Sequence, residues 1–359
     1  MTDDLKRALA LAGQGGLATD FTPVAAPEAA ALCAALYGIE GDFKRLETEK
    51  DDTYLITTGA GRFILKIANP DETGAELDLQ LAALRHLERK GFSLPAPRVV
   101  PTRTGAMIAP QPGSGRMVRL LSFVEGTPLD HLRYGDGGRY QIGRALAQLR
   151  LAFADFTHPA QGRQLVWDVQ HVMTLRPLLT QIALTPGEIA LAERSFARLA
   201  TIAPRIPALP RQVLHNDFYA SNIVGDPAAP EFVTGVIDFG DIVETAVAID
   251  LSTAVTGQIA RDFAPDDDIF APARPVVTGY ADHAPLSAEE LAMVPHLVMA
   301  RVLVRAVMTQ WRAALMPANA PYILRNAGPS WAQLDWFLAR DPREIEHLLG
   351  PETLSRSPA

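Results

Sequence analysis

Apolar and polar positions alternate in TYLITT (53–58) and again in RFILKI (62–67), and a Gly59-Ala60-Gly61 turn separates the two runs. That pattern predicts a β-hairpin. Strand side chains point alternately to opposite faces, so Phe63, Leu65 and Ile67 share one face of the second strand and Ile64 and Lys66 share the other. The period then changes. In AELDLQLAALRHLERK (75–90) apolar residues fall at 77, 81, 84 and 87, a helical spacing, and Gly91 stops the helix. Strand-like runs return at 97–100 and 116–124 (RMVRLLSFV). From Glu125 the pattern is mostly helical, with Ile142, Leu146, Leu149, Phe153 and Phe156 stepping by four and three. A second helix is predicted over 187–201 and is ended by the proline-rich APRIPALPR (203–211). Two short apolar strands, in VLHND and GVIDF, interrupt this half. Beyond Pro265 the chain is again helical, with breaks at Pro317, Pro321 and Pro329. At the start, Pro27 opens a short helix over 27–37, and the alanine-rich residues 1–26 are expected to be a loosely attached helix or tail.

With 359 residues the chain suits two lobes better than one compact core. Its 48% apolar and 21% charged residues are an ordinary globular composition. The net charge of −8 argues against a general nucleic-acid binder but leaves room for a phosphate-bearing small ligand held by a local cluster of donors. One cysteine, Cys33, excludes an internal disulfide and fits a reducing compartment. The opening MTDDLKRALALAGQGG is acidic early and has no long apolar core, so it makes a poor signal peptide. The apolar stretch Leu291–Leu315 is broken by Pro295, His296, Arg301, Arg305 and Arg312, and is not expected to span a membrane. The expectation is a cytoplasmic protein without nucleic-acid or membrane partners, its oligomeric state open.

The chemistry concentrates in 214–241, LHNDFYASNIVGDPAAPEFVTGVIDFGD. Phosphoryl transfer from a nucleotide needs a lysine for the non-transferred phosphates, hard oxygens for magnesium and a carboxylate for the acceptor proton. Lys66 stands on a strand, Asp217 closes His-Asn-Asp, Asn222 lies five residues beyond it, and Asp238 opens Asp-Phe-Gly after an apolar strand. Each piece alone has a bland reading: a solvated edge lysine, an Asx turn, a core histidine, an ordinary strand end. Their order, a lysine strand, a helix with an acid, His-x-Asp-x4-Asn, an apolar strand and Asp-Phe-Gly, is that of a kinase catalytic loop followed by a metal loop.

These residues resemble the aminoglycoside phosphotransferase and choline kinase family of small-molecule kinases, and within it the hydroxylysine kinase branch, often homoserine-kinase-like in bacteria. Asn216 stands where protein kinases carry arginine, and 48–58 has no glycine-rich loop, both as in the small-molecule branch. Matching stretches include FILKIANP (63–70), LPAPRV (94–99), VRLLSFVEGTPL (118–129) and WRAALMPANAPYIL (311–324), so the likeness covers about residues 22–340. The resemblance implies a bilobal α+β, protein-kinase-like fold. It divides the chain into a tail or helix (1–26), a small antiparallel β N-lobe with one key helix (27–121), a hinge (122–126), a larger, mostly α-helical C-lobe (127–345) and a C-terminal tail (346–359). It implies Asp217 as the catalytic carboxylate, Asn222 and Asp238 as magnesium ligands, and Lys66 as the phosphate lysine. Leu121–Glu125 becomes the purine-binding hinge, with Ser122 and Val124 as its contacts, and Asp250, with His215, braces the catalytic loop. The family's usual glutamate partner of the lysine falls at Gln80. Glu76, one turn earlier on the same face, is the alternative, set against a plain solvated acid at a helix start.

The activity implied is transfer of the terminal phosphate of ATP or GTP to the hydroxyl of an amino alcohol or hydroxyamino acid, with Mg²⁺ required. Aminoglycoside, choline or ethanolamine acceptors are the runner-up, and an inactive kinase-fold binding protein is the reading of another class. A protein kinase is disfavoured by Asn216, the missing glycine loop and the lack of Ala-Pro-Glu after Asp-Phe-Gly. An amine-bearing acceptor calls for acids and ring faces, so Asp241, Tyr219, Trp167, Asp168, Trp311 and Tyr322 are candidates, with Arg325 for a carboxylate. Tryptophans such as Trp167 and Trp311 are more often core residues than substrate contacts.

Overall fold

The computed structural model describes residues 1–14, 21–48, 50–317, 320–324 and 327–350, and no side chain at 321, 322 or 327. Helix α1 (Asp3–Gly13) is followed by α2 (Ala26–Tyr37) and then by the N-lobe sheet. Its strands are β1 (Asp42–Leu46), β2 (Asp52–Thr58), β3 (Gly61–Ile67), β4 (Val99–Val100), β5 (Ala109–Pro110) and β6 (Met117–Ser122). Their order is β1-β2-β3-β6-β4, with β5 also on β6, and every pair is antiparallel. Helix α3 (Gly74–Lys90) crosses from β3 toward β4, as its leucine spacing predicts. A Thr73–Glu76 capping box starts it, and Gly91 ends it at φ 64°, a left-handed position that costs glycine no Cβ clash.

The alternation in β3 sorts the lobe into two faces. Leu65 and Ile67 pack with Tyr54, Ile56, Val118 and Leu120 against Ala29, Leu32 and Cys33 of α2, forming a small closed core. The other face turns to the cleft between the lobes. There the register sets Lys66 opposite both Thr53 and Arg119, so three polar side chains stand abreast, while Ile64 lies opposite Leu121. Strand β1, DFKRL, was not visible in the apolar pattern because it is an edge strand with exposed charges.

The C-lobe adds β7 (Thr127–Pro128), α4 (Asp136–Ala152), a 3-10 segment (Val169–Gln181) and α5 (Pro186–Ile202). Strands β8 (Arg211–Leu214), β9 (Ile223–Gly225), β10 (Val233–Val236) and β11 (Val243–Ala246) carry the chemical loops. Helices α6 (Val247–Thr256), α7 (Arg274–Ala281), α8 (Ala288–Leu315), α9 (Ala320–Leu324), α10 (Ala327–Leu338) and α11 (Pro342–Glu346) complete it. Helices α4 and α7 touch backbone to backbone: a Cβ on Gly143 would sit 1.9 Å from the Val276 carbonyl oxygen, and one on Gly279 2.0 Å from that of Tyr140. Helix α8 is long and apolar enough to cross a membrane by length and composition, and 89% of its apolar window is buried inside the protein.

Two expectations about the ends change. Helix α1 is not loosely attached: Ala8, Leu11 and Ala12 are buried in the C-lobe core, against the 3-10 segment. The chain then returns to the N-lobe, where the Val24 amide donates to Asp52. At the other end, residues 346–350 are packed rather than a tail, because Arg205 holds Glu346 and Leu349 is fully buried.

Candidate active site

Two short antiparallel ladders bring the chemical loops together. Strand β8 pairs with β11, and β9 with β10, so the loop after β8 (His215–Asp217) and the loop after β10 (Ile237–Asp241) leave side by side. The Ile237 amide donates to the Asn222 carbonyl at 2.9 Å, which fixes Asn222 beside Asp238. His215 bridges the loops. Its Nε2 lies 3.1 Å from the Ile237 carbonyl, which only accepts, and its Nδ1 accepts from the Asp217 amide at 3.3 Å. Both bonds require the neutral Nε2–H tautomer, and burial lowers the imidazole pKa in agreement. Asp250, at the start of α6, accepts from the Asn216 amide at 2.6 Å. Asn216 and Asp238 have φ of 59° and 56°, a left-handed backbone that asparagine and aspartate tolerate better than most residues.

The side chains those loops present are close. Asn222 Nδ2 donates to Asp217 Oδ2 at 2.6 Å, and Lys66 Nζ lies 3.5 Å from Asp238 Oδ1 across the cleft. Arg301 of α8 sits under Asp217: its Nη2 is 3.6 Å from Asp217 Oδ1 and donates to the Asn216 carbonyl at 3.1 Å. Its other nitrogens donate to the Trp167 carbonyl and the Tyr219 hydroxyl. Asp217, Asn222, Asp238 and Lys66 all line one polar cavity of about 550 Å³. A second, apolar cavity of about 360 Å³ adjoins it, walled by Ile64, Leu121, Val124, Val224 and Ile237.

A family profile described as "Phosphotransferase enzyme family" matches residues 42–287, more than half of the chain and all of the loops above. The chain belongs to this phosphotransferase family. It is 24% identical to the hydroxylysine kinase of Danio rerio, an alignment covering 87% of this chain and 90% of that one. It is 30% identical to the homoserine kinase of Methylobacterium nodulans, covering 72% and 76%. Among solved structures, the microcompartment-associated aminopropanol kinase superposes with a TM-score of 0.69 at 22% identity, covering 88% of this chain and 98% of that one. The architecture is the α+β, bilobal, protein-kinase-like fold expected from the motif order.

The two carboxylates of the phosphotransferase differ in electrostatics. Lys66 draws Asp238 down to about 2, against partial burial. Burial and then Asp241 push Asp217 up to about 7, with Arg301 opposing. Adjacent acids are thus driven apart, one held charged and one able to take a proton near neutrality.

Several expected contacts are made elsewhere. Glu76 does not pair with Lys66, because its carboxylate closes the α3 capping box with Thr73. Gln80 does not either: its amide donates to Glu72 at 2.7 Å and its oxygen lies 3.3 Å from Arg119. Glu72, on the turn before α3, lines the polar cavity together with Glu76 and lies 4.0 Å from Arg119. Glu76→Gln is therefore expected to leave nucleotide affinity within twofold of wild type, and to cost stability less than about 1 kcal/mol, since glutamine also serves in a capping box. Calorimetric titration and urea denaturation check both.

Asp241 lines the polar cavity, with its Oδ1 held by Lys50 Nζ at 2.9 Å. Asp168 is fully buried, caps the 3-10 segment at Gln170 and accepts from Thr245 at 2.9 Å, away from the cleft. Trp311 belongs to the C-lobe core. Trp167 and Tyr219 do line the polar cavity, with Arg301 over both rings. The side chain of Tyr322, and Arg325 altogether, lie outside the described residues. Arg301, Arg119, Lys50 and Glu72 were not singled out from sequence. The alternation of β6 could have found Arg119, which shares the cleft face with Leu121.

Proposed function

We propose that this phosphotransferase moves the terminal phosphate of magnesium-bound ATP or GTP to the hydroxyl of a small amine-bearing acceptor, an amino alcohol or a hydroxylysine- or homoserine-like hydroxyamino acid. The observation that carries the reading is the convergence of Asp217, Asn222, Asp238 and Lys66 on one cavity. The names of the relatives, hydroxylysine kinase and homoserine kinase, supply the acceptor class.

The residues fit the groups the reaction needs. The apolar slot suits a purine. The Ser122 and Phe123 amides are taken by the Arg98 and Arg62 carbonyls, whereas among the described residues nothing bonds the Val124 backbone, which is free to meet a base edge. Asn222 and Asp238 offer two hard oxygens, and no cluster of three metal-ligating histidines, cysteines or acids exists among the described residues. That donor set suits magnesium completed by nucleotide phosphates, not an all-protein cage. When bound, the metal would offset charge on the phosphate oxygens.

Lys66 would neutralise the non-transferred phosphates from the N-lobe side. Asp217, held by Asn222 and Arg301, would orient the acceptor hydroxyl and take its proton as the new bond forms. ADP or GDP release should be measured with each nucleotide across a panel of amino alcohols, hydroxyamino acids, choline and an aminoglycoside. Acceptor-dependent release is the expected result. Nucleotide binding without acceptor-dependent release from any member would instead favour a kinase-fold binding protein.

A further inference from the structure

Seven basic and seven acidic side chains line the polar cavity, but they do not pair one to one. Lys50, Arg163, Arg261, Arg301 and Arg305 line it, facing Asp217 and Asp241. Two of the five are matched: Lys50 with Asp241 at 2.9 Å, and Arg301 with Asp217 at 3.6 Å. The other five acids of the cavity have partners of their own or are exposed. Asp51 and Glu72 flank Arg119, Glu76 caps α3, Asp238 faces Lys66, and Glu47 is exposed on the β1–β2 turn.

Three guanidinium groups, those of Arg163, Arg261 and Arg305, make no ion pair within 4 Å among the described residues, although Arg163 lies near enough to Asp241 to help hold its carboxylate charged. Arg305 projects from α8 and is held only by neutral acceptors, Ser330 Oγ at 2.9 Å and Gln333 Oε1 at 2.6 Å. Arg163 donates once, to the Gly240 carbonyl at 2.8 Å, and its Nε and Nη1 are buried with no partner. Arg261 is exposed at the rim. Burial lowers the Arg305 pKa, Tyr219 opposes that and Arg261 and Arg301 add repulsion, so Arg261, Arg301 and Arg305 share one neighbourhood, while Arg163 lines the same cavity beside Gly240. Buried guanidinium without a counter-charge is costly. A ligand carboxylate matches the planar fork and would lower that cost.

We propose that the acceptor carries a carboxylate in addition to its hydroxyl, and that Arg305, with Arg163 and Arg261, receives it. The substrate class is then a hydroxyamino acid, and amino alcohols without the acid group are poor acceptors. The inference rests on the reaction proposed above and narrows it. The competing use of the same guanidinium groups is on the nucleotide's own phosphates.

The test uses the full chain with Mg-ATP and matched acceptors that differ by the carboxylate alone: homoserine against 3-aminopropan-1-ol, and 5-hydroxylysine against 1,5-diaminopentan-2-ol. In at least one pair the acid-bearing member should have a kcat/KM higher by roughly 100-fold, the scale of one or two charge-assisted hydrogen bonds. Arg305→Gln should raise KM for that member with a smaller change in kcat, and the ratio within the pair should collapse toward one. Arg163→Gln should act in the same direction, and it makes the test independent of the bracing Arg305 gives α10. Equal kcat/KM within both pairs overturns the inference and leaves the proposed reaction standing. So does a loss in both variants that falls on nucleotide KM, or equally on both members of a pair. No transfer to any acceptor, including the wider panel above, overturns the proposed reaction and the inference together.

Discussion

Asp217→Asn should lower kcat by about 1,000-fold, within the usual range for removing a positioned general base, while the folded structure persists. Asparagine keeps the size of the side chain and can still bond Asn222, but it accepts no proton. The wild-type pH profile carries the same information. With Asp217 raised to about 7 in the free protein, the carboxylate is lost to protonation as pH falls through that value. kcat/KM should therefore rise with pH through about 7 and level off above it. The acid limb of kcat should lie at lower pH than that of kcat/KM, because a cation bound beside Asp217 would favour its charged form. In Asp217→Asn this limb should vanish. A variant with near wild-type turnover, or one that keeps the limb, would remove Asp217 from the mechanism.

Arg301→Met should cost about 3 to 5 kcal/mol of stability, the scale of breaking one partner out of a buried charged network. Arg301 is 2% exposed and ties α8 to the Trp167 carbonyl, the Tyr219 hydroxyl, the Asn216 carbonyl and Asp217. Without it, two carbonyls lose a donor and Asp217 loses the stronger of the two cations, Arg301 and Lys50, that oppose its upward shift. The acid limb of kcat/KM should move to higher pH along with the loss in stability. Arg301→Lys, which keeps the charge but not the planar fork, should fall between the two. Urea denaturation and the pH–rate profile of both variants check this. A change under 1 kcal/mol in Arg301→Met, with an unmoved limb, would show that Arg301 is not the brace described.

What could be read from sequence follows from how local the cause is. The hairpin, α3 and α5 were legible because periodicity and caps lie within the segments themselves: Thr73 and Glu76 close one capping box, and Thr185 and Glu188 the other. The order of Lys66, Asp217, Asn222 and Asp238 was legible because the spacing is short and the residue types are specific. Pairings across distance were not. Lys50 meets Asp241 from the β1–β2 turn, a contact between the lobes, and Arg301 reaches Trp167 and Asn216 from α8, contacts fixed by packing within the C-lobe. Within the apolar run of α8, Arg301 and Arg305 read only as charges that break it. Glu76 looked like the partner of Lys66 because helix periodicity places it on the right face. The capping box claimed its carboxylate, and Glu72, which lines the same cavity beside Arg119, precedes the helix and so escapes any periodic pattern.

The central claim is that Asn222 and Asp238 meet one divalent cation together with the nucleotide, opposite Lys66. Calorimetric titration of ATP into the wild-type protein and into Asp238→Ala, each with and without Mg²⁺, tests it most directly. Nucleotide affinity should rise at least tenfold with magnesium in the wild type and show no magnesium dependence in the variant. Equal magnesium dependence in the two proteins, or none in the wild type, would contradict it.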